Sequence, residues 1–131
     1  MGQHFEQHEL RVLDDCEEIE IEILREDTQE PHRATLWVVV VGNDAYVRSV
    51  NGADAHWYQH LIGKLTGTIH ANDKHIPIRA VPVDDAEMRV QVSEAYQRKY
   101  VLYPQDVAWI VGPEVQRTTL RLEPKLDSRA E

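Results

Sequence analysis

The hydrophobic pattern of the chain changes period several times. Glu18-Ile19-Glu20-Ile21-Glu22-Ile23 alternates strictly between carboxylate and β-branched side chains. A period of two puts the isoleucines on one face and the glutamates on the other, so the segment is expected to be a strand with one buried and one wet acidic face. Leu36-Trp37-Val38-Val39-Val40-Val41 is apolar throughout and predicts a central strand covered on both sides. Gly42-Asn43-Asp44 is turn chemistry, and Ala45 to Val50 returns as the second arm of a hairpin. With Asn43-Asp44 as the loop, Val41 faces Tyr46, Val39 faces Arg48 and Trp37 faces Val50. Arg48 then shares a face with Tyr46 and Val50, while Ser49 points the other way.

After Asn51-Gly52 the period lengthens. Asp54 is a candidate cap for a helix to about Lys64, with Trp57, Tyr58, Leu61, Ile62 and Leu65 as its apolar stripe and His56, His60 and Lys64 opposite. Thr66 to Ala71 and His75 to Val83 predict a second hairpin around Asn72-Asp73, with His70 and His75 directly cross-strand. Ser93 can cap a helix through about Tyr100, and Pro104 can open a short helix that ends before Gly112-Pro113. Val115 to Leu122 reads as a last strand. Strands outnumber helices, so the expected fold class is α+β: a mainly antiparallel barrel with a few helices packed outside. Residues 1–15 read as a polar N-terminal segment, 16–124 as one domain and 125–131 as a C-terminal tail.

Composition narrows the partners. Asp and Glu number 23 against 14 Lys and Arg, a formal charge of -9 over 131 residues. That balance argues against nucleic acid and against an anionic membrane surface. It leaves room for one local cationic pocket. The longest apolar run is too short to span a bilayer, and no signal peptide is expected from the first residues. The single cysteine, Cys16, sits among four carboxylates that oppose thiolate formation. No intramolecular disulfide can form, which fits a cytoplasmic protein. A chain of this size gains from dimerisation, so a homodimer is expected.

The most suggestive chemistry is Tyr46-Val47-Arg48-Ser49-Val50-Asn51-Gly52. A guanidinium fork, a hydroxyl and the free N–H groups of a helix start can together hold a phosphate. The alternative is an arginine that meets a carboxylate at the barrel's edge. Trp57 and Tyr58 could stack on a flat ring, or fill the core as their helical spacing suggests. Tyr46, Tyr96 and Lys99 are candidate acid–base groups, since a lysine beside a phenol such as Tyr96 can lower its pKa, while the commoner role of such a tyrosine is to pack its ring and bond its hydroxyl to a carbonyl. A native metal site is not expected. His56 and His60 are one helical turn apart, but Trp57 and Tyr58 stand where a zinc protease would carry its glutamate.

The string from Leu36 to Val41, then Ala45-Tyr46-Val47-Arg48-Ser49-Val50-Asn51-Gly52 and His56-Trp57-Tyr58, resembles an uncharacterised bacterial family, domain-of-unknown-function family 2255. Glu94 to Tyr100 and Thr118 to Pro124 resemble that family's later motifs, so the likeness runs from about Ile19 to Pro124. More distantly the chain is similar to the deazaflavin-dependent nitroreductases and FMN-binding split β-barrels. That resemblance implies a dimer with a flavin or deazaflavin ring near the subunit interface and Arg48 and Ser49 at the cofactor phosphate; Asn51, Trp57 and Tyr58 are the further candidate cofactor-binding residues. Three functions stay open: a flavin- or deazaflavin-dependent oxidoreductase acting on a small organic substrate, a cofactor-free enzyme using the barrel cavity for acid–base chemistry, and a non-catalytic ligand-binding dimer.

Overall fold

The computed structural model describes residues 4–24, 30–64 and 66–125. The strands among them are β1 (Ile19–Leu24), β2 (Pro31–Leu36), β3 (Val38–Val41), β4 (Asp44–Val47), β5 (Thr66–Ala71), β6 (Lys74–Pro82) and β7 (Leu120–Pro124). They form one sheet in the order β2-β1-β5-β6-β7-β4-β3, every neighbouring pair antiparallel. The end strands, β2 and β3, are consecutive in the chain with only Trp37 between them. A flat sheet of this width would hold its end strands roughly 29 Å apart, at about 4.8 Å per spacing. Leu36 and Val38 can be no more than about 7 Å apart. The sheet must therefore roll up, and Trp37 marks the seam of a curled half-barrel.

The helices are α1 (Gln7–Asp15), α2 (His56–Lys64), α3 (Ala86–Lys99), α4 (Pro104–Ile110) and α5 (Pro113–Gln116). The concave side of the sheet is filled by Ile19, Ile21, Ile23, Ile69, Ile78 and Leu122, which meet Leu10 and Leu13 of α1 and Trp57, Tyr58 and Leu61 of α2. The N-terminal segment that reads as polar thus contributes buried side chains, including Phe5 just before α1. A second cluster lies on the other side of β3 and β4, where Val39 and Tyr46 pack against Val92, Ala95, Tyr96 and Tyr100 of α3 and Val107, Ile110 and Val115 beyond it.

The alternating isoleucines behave as their period predicts, all buried on one face. The second hairpin is also as expected: His70 pairs with His75, and Asn72 takes the left-handed backbone (φ 53) that its turn requires. Other expectations need correction. The apolar run from Leu36 to Val41 is not one central strand. It breaks at Trp37, and β3 lies at the end of the strand order. It still has two covered faces, because Val38 enters the inner cluster and Val39 the outer one. The first hairpin loop is Gly42-Asn43, with Val41 opposite Asp44 and Val39 opposite Tyr46. Gly42 supplies the positive φ of 64 at its first position, which costs glycine little.

Asp54 ends a short 3-10 turn, Gly52–Asp54, and does not cap α2. Asp85 caps α3 by accepting a hydrogen bond from the backbone N–H of Glu87, so Ser93 lies inside the helix. Val115 belongs to α5, opened by Pro113, and the last strand starts only at Leu120. The stripe residue Leu65 and positions 126–131 of the tail lie outside the described residues.

Candidate functional site

A cavity of about 390 Å³ opens at the seam. Thr35, Leu36 and Trp37 bring the end of β2 to it, Glu18 the start of β1, Arg48, Val50 and Asn51 the segment after β4, and Asp106 and Trp109 one face of α4. The volume falls within the range of about 300–1,000 Å³ usual for small-molecule sites. Two indoles line it. Trp37 stacks on Tyr100 with ring centres 3.9 Å apart and planes 2° from parallel, which fixes its orientation. Trp109, 56% exposed, is tethered by its Nε1–H, which donates to the Val50 carbonyl oxygen at 2.7 Å. Asp106 and Trp109 are three residues apart on α4, so they share a helix face.

Arg48 is the most unusual lining residue, because it is 1% exposed. Its Nε–H donates to Thr119 Oγ1 at 2.8 Å, one terminal nitrogen to Ser93 Oγ at 2.8 Å and the Ile110 carbonyl at 3.1 Å, and the other to the Arg89 carbonyl at 2.8 Å. A guanidinium has about five N–H donors, so one remains. None of these partners is a carboxylate, and burial pulls the Arg48 pKa down to about 10. Arg48 therefore ties the end of β4 to α3, α4 and the approach to β7. Ser49 is also spent internally: its N–H donates to Thr118 Oγ1 at 2.8 Å, and its hydroxyl to the Gly52 carbonyl at 2.6 Å.

The structure brings Arg48 and Asn51 of the sequence candidates to this cavity. It places Trp57 and Tyr58 edge to face in the inner cluster, 5.9 Å between ring centres. Tyr46 is buried, and burial raises its pKa. The Tyr96 hydroxyl donates to the Trp37 carbonyl at 3.0 Å, and burial pushes its pKa well up. The Lys99 ammonium donates to the carbonyls of Leu13 at 2.9 Å and Val38 at 2.7 Å, and its pKa is lowered by burial. Lys99 lines a separate cavity with Asp14 and Arg98. Cys16 has a pKa raised by burial, consistent with an inert thiol.

Sequence reasoning missed Trp37, Trp109, Glu18, Thr35 and Asp106. Trp37 had a signal, since it is the one bulky aromatic in a β-branched run. Among the described residues, the grouping with three metal-ligating side chains in reach is Glu6, His8 and Glu9, not the histidines of α2 or of the second hairpin. No helix among the described residues is long and apolar enough to cross a membrane.

Solved structures share the fold at low identity. HutZ, the heme storage protein of Vibrio cholerae, superposes with a TM-score of 0.68 at 12% identity over 95% of this chain and 92% of its own. An F420-H2 dependent reductase gives 0.61 at 14% identity over 82% and 94%. A putative pyridoxamine 5'-phosphate oxidase from Listeria innocua gives 0.60 at 12% identity over 90% of each chain. No curated protein matches the sequence. One family does, described as an uncharacterized protein conserved in bacteria, and its profile covers residues 9–122: the chain belongs to domain-of-unknown-function family 2255, with a split-barrel fold.

Proposed function

We propose that the chain is a small-molecule-binding split-barrel protein, cytoplasmic and homodimeric, whose seam cavity takes the flat ring of a flavin or deazaflavin. In that reading it is an oxidoreductase acting on a small organic substrate. One observation carries the proposal: two indoles and a buried guanidinium without a carboxylate partner line the same cavity. An aromatic slot with one fixed cation suits a planar ring with an electron-rich edge. The fold shared with an F420-H2 dependent reductase supports the same reading.

The residues fit the ring. Trp37 and Trp109 would lie against it, Asn51 would meet its polar edge, and the remaining Arg48 N–H would place positive charge beside its carbonyls. A bound flavin or deazaflavin supplies hydride transfer. The chain's own groups orient the ring, and Trp109 covers it from water.

A second reading has its own observation. Glu18 and Asp106 both line the cavity, so a cofactor-free enzyme would have carboxylates in place for acid–base chemistry. The dimer is supported by exposed apolar residues at the cavity lip and on the loop before α4: Val50 at 45%, Trp109 at 56%, Val101 at 68% and Leu102 at 82% exposed.

Titration of the purified protein with riboflavin and with a deazaflavin, followed by ring fluorescence, tests the proposal. Saturable binding is expected, weakened at least about tenfold in Trp109→Ala, in line with 1.4 kcal/mol for a lost stacking partner. Absence of binding by every ring tried would overturn it and leave the acid–base reading.

A further inference from the structure

Glu18 and Thr35 line the seam cavity and also a second cavity of about 340 Å³ on the open face of β1, β2, β5 and β6. The strand register explains the second cavity's composition. Thr35 lies opposite Glu20, Glu20 opposite His70, and His70 opposite His75, so the four form one lateral row across four strands. The inner face of these strands is packed with α1 and α2, which leaves the polar row unroofed.

The guanidinium beside this row is already paired. The Arg33 guanidinium lies 3.0 Å from Glu20 and 3.4 Å from Glu22, and Glu22 also sits 2.7 Å from His70 Nε2. Nothing there is a cation waiting for an anion. On the seam side, Arg48 has spent four donors inward, while Glu18 and Asp106 face the cavity. Along the whole path three carboxylates, Glu18, Glu20 and Asp106, stand against two guanidiniums, Arg33 and Arg48, and Glu22 neutralises Arg33 further from beside the path.

We infer that the two cavities are one groove, and that the part of the ligand beyond its ring is an uncharged or cationic, hydroxyl-bearing chain crossing Glu18 and Thr35 toward Arg33 and His70. A phosphate or oligocarboxylate tail is selected against. This rests on the ring-binding reading above and narrows it. A hydroxylated chain can both donate to Glu18 and Glu20 and accept from Asn72, His75 or Thr35. A phosphate dianion would bring acceptors only, into an excess of negative charge.

Riboflavin and flavin mononucleotide carry the same ring and differ by one phosphate, so their affinities isolate the tail. In fluorescence titrations at pH 7.5 and low salt, riboflavin is expected to bind at least about tenfold more tightly than the mononucleotide, about 1.4 kcal/mol. Raising salt should shrink the gap, because these exposed charges are screened. The double variant Glu18→Gln/Glu20→Gln removes two charges and leaves Arg33 paired with Glu22 alone, and should narrow the gap below about threefold. Circular dichroism of the variant checks that it is folded. Equal or tighter binding of the mononucleotide by the wild-type chain overturns the inference while the ring reading stands. So does a gap that the double variant leaves unchanged. If neither flavin nor the deazaflavin binds, the ring reading fails and this inference falls with it.

Discussion

On the concave side of the sheet, Leu13, Ile21, Ile69, Ile78 and Leu122 meet as fully buried hydrocarbon. On the far side of β3 and β4, a comparably buried layer is tied together by Arg48, Tyr96, Lys99 and Tyr100, each bonded to a backbone carbonyl of another element. Among the described residues no buried side-chain nitrogen or oxygen lacks a partner, so each buried polar atom of that second layer is held by at least one hydrogen bond. The difference shows how each region is specified. Hydrocarbon packing depends on volume and tolerates similar shapes. A buried polar network depends on every member, since deleting one strands its partners away from water.

The sharpest way to break this contrast is Arg48→Met. It removes the donors that Thr119, Ser93 and the Ile110 and Arg89 carbonyls accept from, and should lower unfolding free energy by about 4 kcal/mol, near the sum of several lost charge-assisted bonds. Arg48→Lys should restore less than half, because an ammonium cannot span the same four acceptors. Ile69→Val on the hydrocarbon side should cost only about 1 kcal/mol. Urea unfolding of the three variants measures this. A loss below about 1 kcal/mol for Arg48→Met would mean that water replaces the guanidinium freely and the layer is not a closed network.

A smaller effect is expected from pH. Burial raises the pKa of Tyr96 and Tyr100. From about the ordinary phenol value of 10 upward, the unfolded chain loses these protons first, so stability falls as pH rises. Lys99 opposes this. Its pKa is lowered, so the folded chain sheds that proton first and its contribution grows toward the ordinary value of 10.5. Arg48, lowered to about 10, opposes it too, and the raised phenols Tyr46, Tyr96 and Tyr100 should outweigh these two cations, each group contributing up to about 1.4 kcal/mol per pH unit. Urea midpoints between pH 8 and 11.5 should fall in the wild type and fall less steeply in Tyr96→Phe. A level profile would show that the hydroxyls are not held neutral.

The smallest effect on the fold should come from the exposed loop of the same layer. Leu102 is 82% exposed, so Leu102→Asp should change unfolding free energy of the isolated chain by less than about 0.5 kcal/mol. Light scattering at micromolar concentration should nevertheless shift from twice the chain mass toward the monomer. A dimer unmoved by Leu102→Asp would place the subunit contact on another surface.

The contrast also explains what was legible in the sequence. Ile19, Ile21 and Ile23 announce their strand because a period of two survives any tertiary context. Asn72-Asp73 announces its hairpin because few residues accept the left-handed turn. The second layer is harder to read. Asp85 and Ser93 are both competent caps, and only the fold shows that Ser93 is needed as an acceptor for Arg48. The cavity depends on closure, since Trp37 and Trp109 are distant in the chain and share a wall only once the sheet has rolled. The sequence singles out Arg48 by its strand-end position, but its four inward partners come from three later segments.

The place of β7 has a consequence for synthesis. This strand lies between β6 and β4, and among the described residues it alone hydrogen-bonds β2-β1-β5-β6 to β4-β3. Until residues 120–124 have left the ribosome, the growing chain holds two separate hairpin-built pieces, each with an unpaired edge facing the gap. Local pairings such as β5 with β6 close short loops and form early, whereas β4 with β7 must wait until residues 120–124 have emerged. Those two open edges are where a nascent chain would pair with a neighbour, so chaperone binding during synthesis should centre on β4 and β6.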